Sequence, residues 1–381
     1  MRSGGMPRIE TYLDWNASAP LRPQATTAMT EALARCGNAS SVHRWGRMAR
    51  REVERARTAV AALAGASPAD VIFVSGGTEA NHLALQGPGR QRVLVSAVEH
   101  SSVLHAAAAA EQIPVDGDGI VRLDALADLL VANPSPALVS VMLANNETGV
   151  MQPVAEIAEL AHAHGALFHC DAVQAAGKIV LDAAAFGADL VTLSAHKLGG
   201  PPGIGALIAN KEVDLTPLLR GGGQERGRRS GTENLPGIAG FAAAAEAAAA
   251  EIGVYDRVRA LRDALEAEIT AIAPDAVVLG AEAPRLPNTA AIAMPGTAAE
   301  TQVIALDLDG VMVSAGAACS SGKVGPSHVL KAMGVAPDVA GSTIRVSLGW
   351  DSTEADVSHF LEAWTALYRR RRGFAEEARA A

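Results

Sequence analysis

The sequence predicts an α/β protein: a mostly parallel central sheet with helices on both faces, and a smaller α+β C-terminal domain. Three observations predict it. Between about residues 68 and 210, short β-rich runs alternate with alanine-rich helical stretches, the pattern of strands joined by crossover helices. Polar clusters follow those runs, at the strand ends where open α/β sheets place their ligands. Beyond Gly221-Gly222-Gly223 the composition changes, and the last third mixes strand and helix signals.

The runs at 71–74, 93–96, 138–143, 166–170, 190–193 and 206–209 read as buried strands, rich in Val, Leu and Ala and closed by polar or glycine residues. Residues 154–164 form the clearest helix, with Gly165 placed to cap its C-terminus. One long helical stretch is expected over roughly 237–273. The boundary falls near 255, giving a large domain over 15–255 and a small one from 1–14 and 256–381.

The chain has 381 residues, is 49 % hydrophobic and 19 % charged, and carries a formal charge of −9. This composition builds cores and is not that of a disordered chain. The acidic balance argues against a nucleic-acid binder, which needs basic surface. The dense basic run Arg369-Arg370-Arg371-Arg372 reads as a solvated helix end. Three cysteines, Cys36, Cys170 and Cys319, show no disulfide framework or zinc spacing, which suits a reducing cytoplasm. No apolar signal core opens the chain and no apolar run reaches spanning length, so no membrane association is expected.

Five polar clusters stand at five strand ends: Ser75-Gly76-Gly77-Thr78-Glu79, Glu99-His100, Asn145-Asn146-Glu147, Asp171-Ala172-Val173-Gln174 and Ser194-Ala195-His196-Lys197. Together they describe one site. A lysine held in a dry site can lose its proton and form a Schiff base, which singles out Lys197. Asp171, at the end of an apolar strand, needs a cation. A pyridinium nitrogen would supply it, although for the aspartate taken alone a cap on the next helix is the stronger reading. Gly76-Gly77-Thr78 before a helix makes an anion site, to which Ser194 and His196 could add donors. No P-loop and no GxGxxG fingerprint is present, so no nucleotide is required. His100 could stack on a ring and move protons, or be structural; His162, His164 and His169 read as structural. Cys319 lies in a Gly/Ser-rich loop, unlike Cys170 in its strand, and an accessible thiol can act as a nucleophile. Arg345 is the one charge in a β-like run, suited to a substrate carboxylate or to an ion pair.

These motifs, from Tyr12-Leu13-Asp14 and the Gly37–His43 segment through SGGTEAN, NNETGV, HCDAVQ, SAHK, GGGQERGRRSGT and LPNT to GAACSSG and IRVSLG, run along nearly the whole chain. As an ordered set they closely resemble the cysteine desulfurases, in the class V aminotransferase branch of fold-type I pyridoxal-phosphate (PLP) enzymes. The resemblance implies PLP as cofactor and conversion of L-cysteine to L-alanine, with sulfur held as a persulfide on Cys319. Lys197 would be the Schiff-base lysine, Asp171 the partner of the pyridine nitrogen, and Gln174 that of the ring hydroxyl. His100 would stack on the ring near Asn146, and Gly77, Thr78, Ser194 and His196 would hold the phosphate. Thr232 would reach the phosphate bound by the other subunit of a homodimer, and Asn38 and Arg345 would take the substrate carboxylate.

The segment from Cys319 to Pro326-Ser327-His328 resembles the long cysteine loop of the housekeeping and nitrogen-fixation branch. That implies an iron–sulfur scaffold or another sulfur-acceptor protein as partner. No intrinsic metal site is implied, although Cys319 could ligate a transient iron–sulfur cluster. Two features depart from the pattern: Ala39 stands where the family has proline, and the C-terminus is shorter than in the housekeeping assembly enzymes. A selenocysteine lyase, an aminotransferase of the same fold and a non-catalytic partner-binding protein stay open as alternatives.

Overall fold

The computed structural model describes residues 10–316 and 327–380, with side chains as far as Arg371. Cys319 lies outside the described residues. Strand β1 (Thr11–Tyr12) is followed by the seven strands of the main sheet: β2 (Val71–Val74), β3 (Arg92–Ser96), β4 (Glu111–Ile113), β5 (Ala137–Met142), β6 (Leu167–Asp171), β7 (Leu190–Ser194) and β8 (Gly205–Ala209). Then come β9 (Val277–Val278), β10 (Thr289–Ala293), β11 (Val311–Met312), β12 (Ser314–Ala315) and β13 (Thr343–Ser347).

The main sheet has the order β2-β8-β7-β6-β5-β3-β4. Strands β3 to β7 are parallel, and β8 is antiparallel to both its neighbours, β7 and β2. Six strands therefore end at one edge. Each strand sends alternate side chains to opposite faces. Phe73, Val139, Phe168 and Val191 enter one core with the helices Arg44–Ala64, Val154–Ala163 and Leu235–Ala250. Ile72, Val74, Leu138 and Leu190 enter another, beneath the helices Gly77–Gln86 and Ser101–Ala106. The two-sided cover explains why the strands read as continuous apolar runs. The Val154–Ala163 helix ends as expected, with Gly165 in the left-handed region at φ +69°.

A third core joins Leu13 to residues between Tyr255 and Tyr368. Its sheet, β12-β13-β10-β9, is antiparallel, and β1 pairs in parallel with β11. The expected single helix over 237–273 is instead two, Leu235–Ala250 and Val254–Ile272, bent by 74°. The first is buried against the main sheet and the second packs into the third core, so the break lets neighbouring helices serve different cores. Alanine-rich sequence on one side of Gly253 gave no sign of it. The basic run is likewise not a helix end: the last helix spans Glu354–Ala380, and Arg371 Nη1 pairs with Asp275 Oδ2 at 3.1 Å. Among the described residues no single helix is long and apolar enough to cross a membrane. The bent pair passes such a test by length and composition together, but its first helix is core.

Candidate active site

All five strand-end clusters open into one cavity of about 340 Å³. Gly77 and Thr78 start the helix that follows β2, His100 lies beyond β3, and Asn146 beyond β5. Asp171 ends β6, and Ser194, His196 and Lys197 stand at the end of β7. Residues from distant parts of the chain, Asn16 and Arg345, close the other side.

Asp171 is 6 % exposed, and its carboxylate meets no cation among the described residues. Asn81 Nδ2 donates to Oδ2 at 2.8 Å and the Val173 N–H donates to Oδ1 at 3.0 Å. A buried carboxylate with only neutral partners is costly, and a cationic N–H within the cavity would offset the cost. Asn81 Nδ2 also donates to Ser102 Oγ at 2.9 Å, and that hydroxyl lies 2.8 Å from His100 Nδ1. The Ser102 N–H donates to the same nitrogen at 3.1 Å. Nδ1 is thus the acceptor, and the neutral ring carries its proton on Nε2. Burial holds His100 below its ordinary proton affinity, against the pull of Asp171. The chain Asp171–Asn81–Ser102–His100 links the carboxylate to the imidazole. Asn81 stands four residues after Gly77, one helical turn on, and that spacing was its available signal.

At the start of the Gly77–Gln86 helix, the first intrahelical bond runs from the Ala80 N–H to Gly76 O. The amides before it have no acceptor in their own helix and form an anion seat. A Cβ on Gly77 would come within 3.2 Å of Val173 Cγ2 and 3.5 Å of Ser194 Cβ, so a side chain there would fill the cradle. His196 is pushed down to about 4, by burial first and then by the neighbouring Lys197. It is therefore a neutral imidazole and not a cation.

Lys197 Nζ donates to the main-chain carbonyls of Asn16 and Ala17 at 2.6 and 2.9 Å. Arg345, 2 % exposed in the middle of β13, makes the ion pair that one of its two sequence readings expected. Nη2 pairs with Asp14 Oδ1 at 2.6 Å and Nη1 donates to Asn146 O at 3.0 Å, while its guanidinium lines the cavity. Its Nε has no hydrogen-bond partner among the described residues.

Two expected site residues stand apart. Asn38 is exposed, and its Oδ1 accepts from the Ser40 N–H at 2.8 Å. Thr232 lines a different cleft, with Phe73, Glu225 and Arg229. A single chain therefore brings neither into the cavity. Of the other histidines, His169 is buried between Ser140 Oγ and Thr192 Oγ1, and desolvation lowers it to about 3. Among the described residues no group of His, Cys, Asp and Glu is arranged for a metal.

The cavity residues fit pyridoxal phosphate: an anion seat, an uncompensated buried carboxylate and an amine share one space. A model of the aminotransferase class-V family matches residues 11–360. The chain belongs to that family. Within it, the chain is 46 % identical over 366 residues to a cysteine desulfurase of Cereibacter sphaeroides, covering 92 % of this chain and 94 % of the relative. It is 40 % identical to an IscS-like cysteine desulfurase of Mycobacterium tuberculosis, covering 95 % and 97 %. A NifS-like protein from Rickettsia africae superposes with a TM-score of 0.88 at 35 % identity, over 95 % of this chain and all of that one. The class-V fold thus places its Lys197 and Asp171 clusters as the sequence led one to expect.

One class-V motif residue has a role that the sequence did not reveal. Glu147, of the NNETGV segment, is buried and raised to about 7 by desolvation, which Ser327 and Arg345 only partly oppose. Ser327 Oγ donates to its Oε2 at 2.6 Å, and a Cβ on Gly316 would lie 3.1 Å from the same oxygen. A carboxyl raised from about 4.3 in the unfolded chain favours folding fully at low pH, and that contribution is lost as pH rises through 7. Glu147→Gln should remove the dependence. At pH 8 it should gain about 3 kcal/mol relative to wild type compared with pH 5, read as urea midpoints at the two pH values.

Proposed function

We propose that this protein is a PLP-dependent cysteine desulfurase, in which Lys197 and Asp171 hold the cofactor and Cys319 accepts the sulfur. The single observation that carries this is the convergence of the Lys197 amine, the uncompensated Asp171 carboxylate and the helix N-terminus at Gly77 on one cavity. In this reading Gly77, Thr78, Ser194 and His196 hold the phosphate. Asp171 meets the ring nitrogen, Gln174 the ring hydroxyl, and His100 the ring face beside Asn146.

Pyridoxal phosphate, when bound, supplies an aldehyde for amines and a ring that stabilises negative charge at the substrate Cα. The chain supplies the rest. Arg345 orients the substrate carboxylate, with Asn38 assigned the same role. Lys197 Nζ takes the proton from Cα and delivers one back. Removing water from the cavity strengthens each of these polar contacts. The Cys319 thiolate attacks the substrate sulfur: an S–S bond forms, the Cβ–S bond breaks, and its electron pair stays with the three-carbon fragment, which protonation turns into alanine. The persulfide then passes to an acceptor thiol by exchange.

The place of Thr232 outside the cavity supports a homodimer in which each copy completes the phosphate site of the other. The three cores support a large domain over 15–255 and a small one from 1–14 and 256–381. Resemblance of the Cys319 segment to the housekeeping branch supports an iron–sulfur scaffold as one acceptor, and Cys36 and Cys170 as free thiols suit a reducing cytoplasm.

Cys319→Ser tests the reading. With L-cysteine, the wild type should form alanine and sulfide together under reducing conditions, and the variant should fall to background while still binding PLP. Full-rate alanine and sulfide production by the variant would rule out sulfur capture on Cys319.

A further inference from the structure

Lys178 lies in a turn after β6, four residues beyond Gln174, and no part of the reaction above uses it. It is 3 % exposed, and no carboxylate among the described residues lies within ion-pair distance. Its Nζ donates to Asn16 Oδ1 at 2.9 Å and to Gln174 Oε1 at 3.0 Å. Both acceptors belong to residues that line the cavity. A buried amine needs acceptors, and these two use it as a clamp.

We infer that Lys178 is a positioning residue, which fixes the side chains of Gln174 and Asn16 so that they seat the Lys197 amine and present a donor to the cofactor ring. The inference rests on the PLP reading of the cavity. An amide side chain can face either way, with oxygen and nitrogen exchanged. Lys178 donates to Gln174 Oε1, so Nε2 must be the end that turns away. One Nε2–H donates to the Asn16 carbonyl at 3.0 Å, and the other remains for an acceptor in the cavity. The Asn16 amide is set in the same manner. Its Oδ1 accepts from Lys178 and from Asn288 Nδ2 at 3.1 Å, while its Nδ2 donates to Thr289 Oγ1 at 2.8 Å. The main-chain carbonyl of this locked residue is the one that accepts from Lys197 Nζ at 2.6 Å. Lys178 thus acts on Lys197 and on the ring through two intermediaries.

Burial, with Lys197 and Arg345 nearby, lowers the proton affinity of Lys178 well below that of an ordinary lysine. A neutral amine has two protons, and two acceptors are present. The hydrogen-bond geometry requires only those two donations and holds for either charge state.

The test uses full-length protein titrated with pyridoxal phosphate, read by the visible absorbance of the bound coenzyme and by cofactor affinity. Lys178→Met, close in length and without donors, should weaken binding by about tenfold or more and displace the visible maximum. Gln174→Ala should do the same. The double variant should be no worse than the weaker-binding single variant, within about threefold, because both changes break one linkage. A Lys178→Met protein that binds with wild-type affinity and spectrum overturns the inference, as do losses that multiply in the double variant. Should Lys178→Met fail to fold, a crystal structure of the wild-type holoenzyme decides. Nζ bonded to Gln174 Oε1 and Asn16 Oδ1, with Gln174 Nε2 toward the ring, supports the clamp; a rotated Gln174 or a different Lys178 partner overturns it. Wild-type protein that binds no PLP would defeat the underlying reading itself, an outcome separate from wild-type-like variants.

Discussion

Lys197→Ala should lower alanine formation from L-cysteine by about 10³-fold or more, with the fold intact. The size follows from the role proposed for the amine, as the attachment point for the cofactor and the group that moves the Cα proton. Its surroundings are built for that exchange. Two main-chain carbonyls, those of Asn16 and Ala17, accept from Nζ and orient the amine at the cavity. Stability should change little, since the variant loses side-chain hydrogen bonds at a cavity wall. Circular dichroism and the urea midpoint would check that. A variant retaining a tenth of wild-type turnover would mean that another group moves the proton.

Asp171→Asn should lower turnover by about 10²-fold or more, with a smaller effect on cofactor occupancy. The carboxylate is buried, accepts from Asn81 and from the Val173 N–H, and meets no cation among the described residues. Asparagine nearly preserves the shape but removes the charge that a protonated ring nitrogen would meet. It also disturbs the Asn81–Ser102–His100 chain, because an amide NH₂ facing Asn81 Nδ2 would set donor against donor. Single-turnover kinetics with saturating PLP would separate the loss of rate from the loss of binding. Equal turnover at saturating PLP would remove Asp171 from the chemistry.

Much of the site was legible because the sheet does simple work. Short apolar runs followed by polar clusters could only be strands delivering side chains to one edge, and Gly77, His100, Asn146, Asp171 and Lys197 all arrive there. The less legible residues reach the cavity through long-range packing. Asn16 and Arg345 come from opposite ends of the chain, joined where Asp14 bridges to Ser347 beside β13 and pairs with Arg345. No local periodicity encodes that meeting. Asn81 and Lys178 had weak local signals, each four residues beyond a site residue, and their roles depend on partners more than a hundred residues away in one case and about ninety in the other. Asn38 and Thr232 were read from resemblance, and neither reaches the cavity of its own chain. The break after Ala250 was invisible because good helix formers stand on both sides of it, alanine before and Leu, Arg, Glu and Ala after, while the choice between two cores is tertiary.

Borohydride reduction of PLP-loaded protein, followed by peptide mapping, tests the central claim most directly. One phosphopyridoxyl group per chain on Lys197, absent from Lys197→Ala, is the predicted result. Labelling spread over surface lysines, or confined to Lys178, would contradict the placement of the cofactor in this cavity.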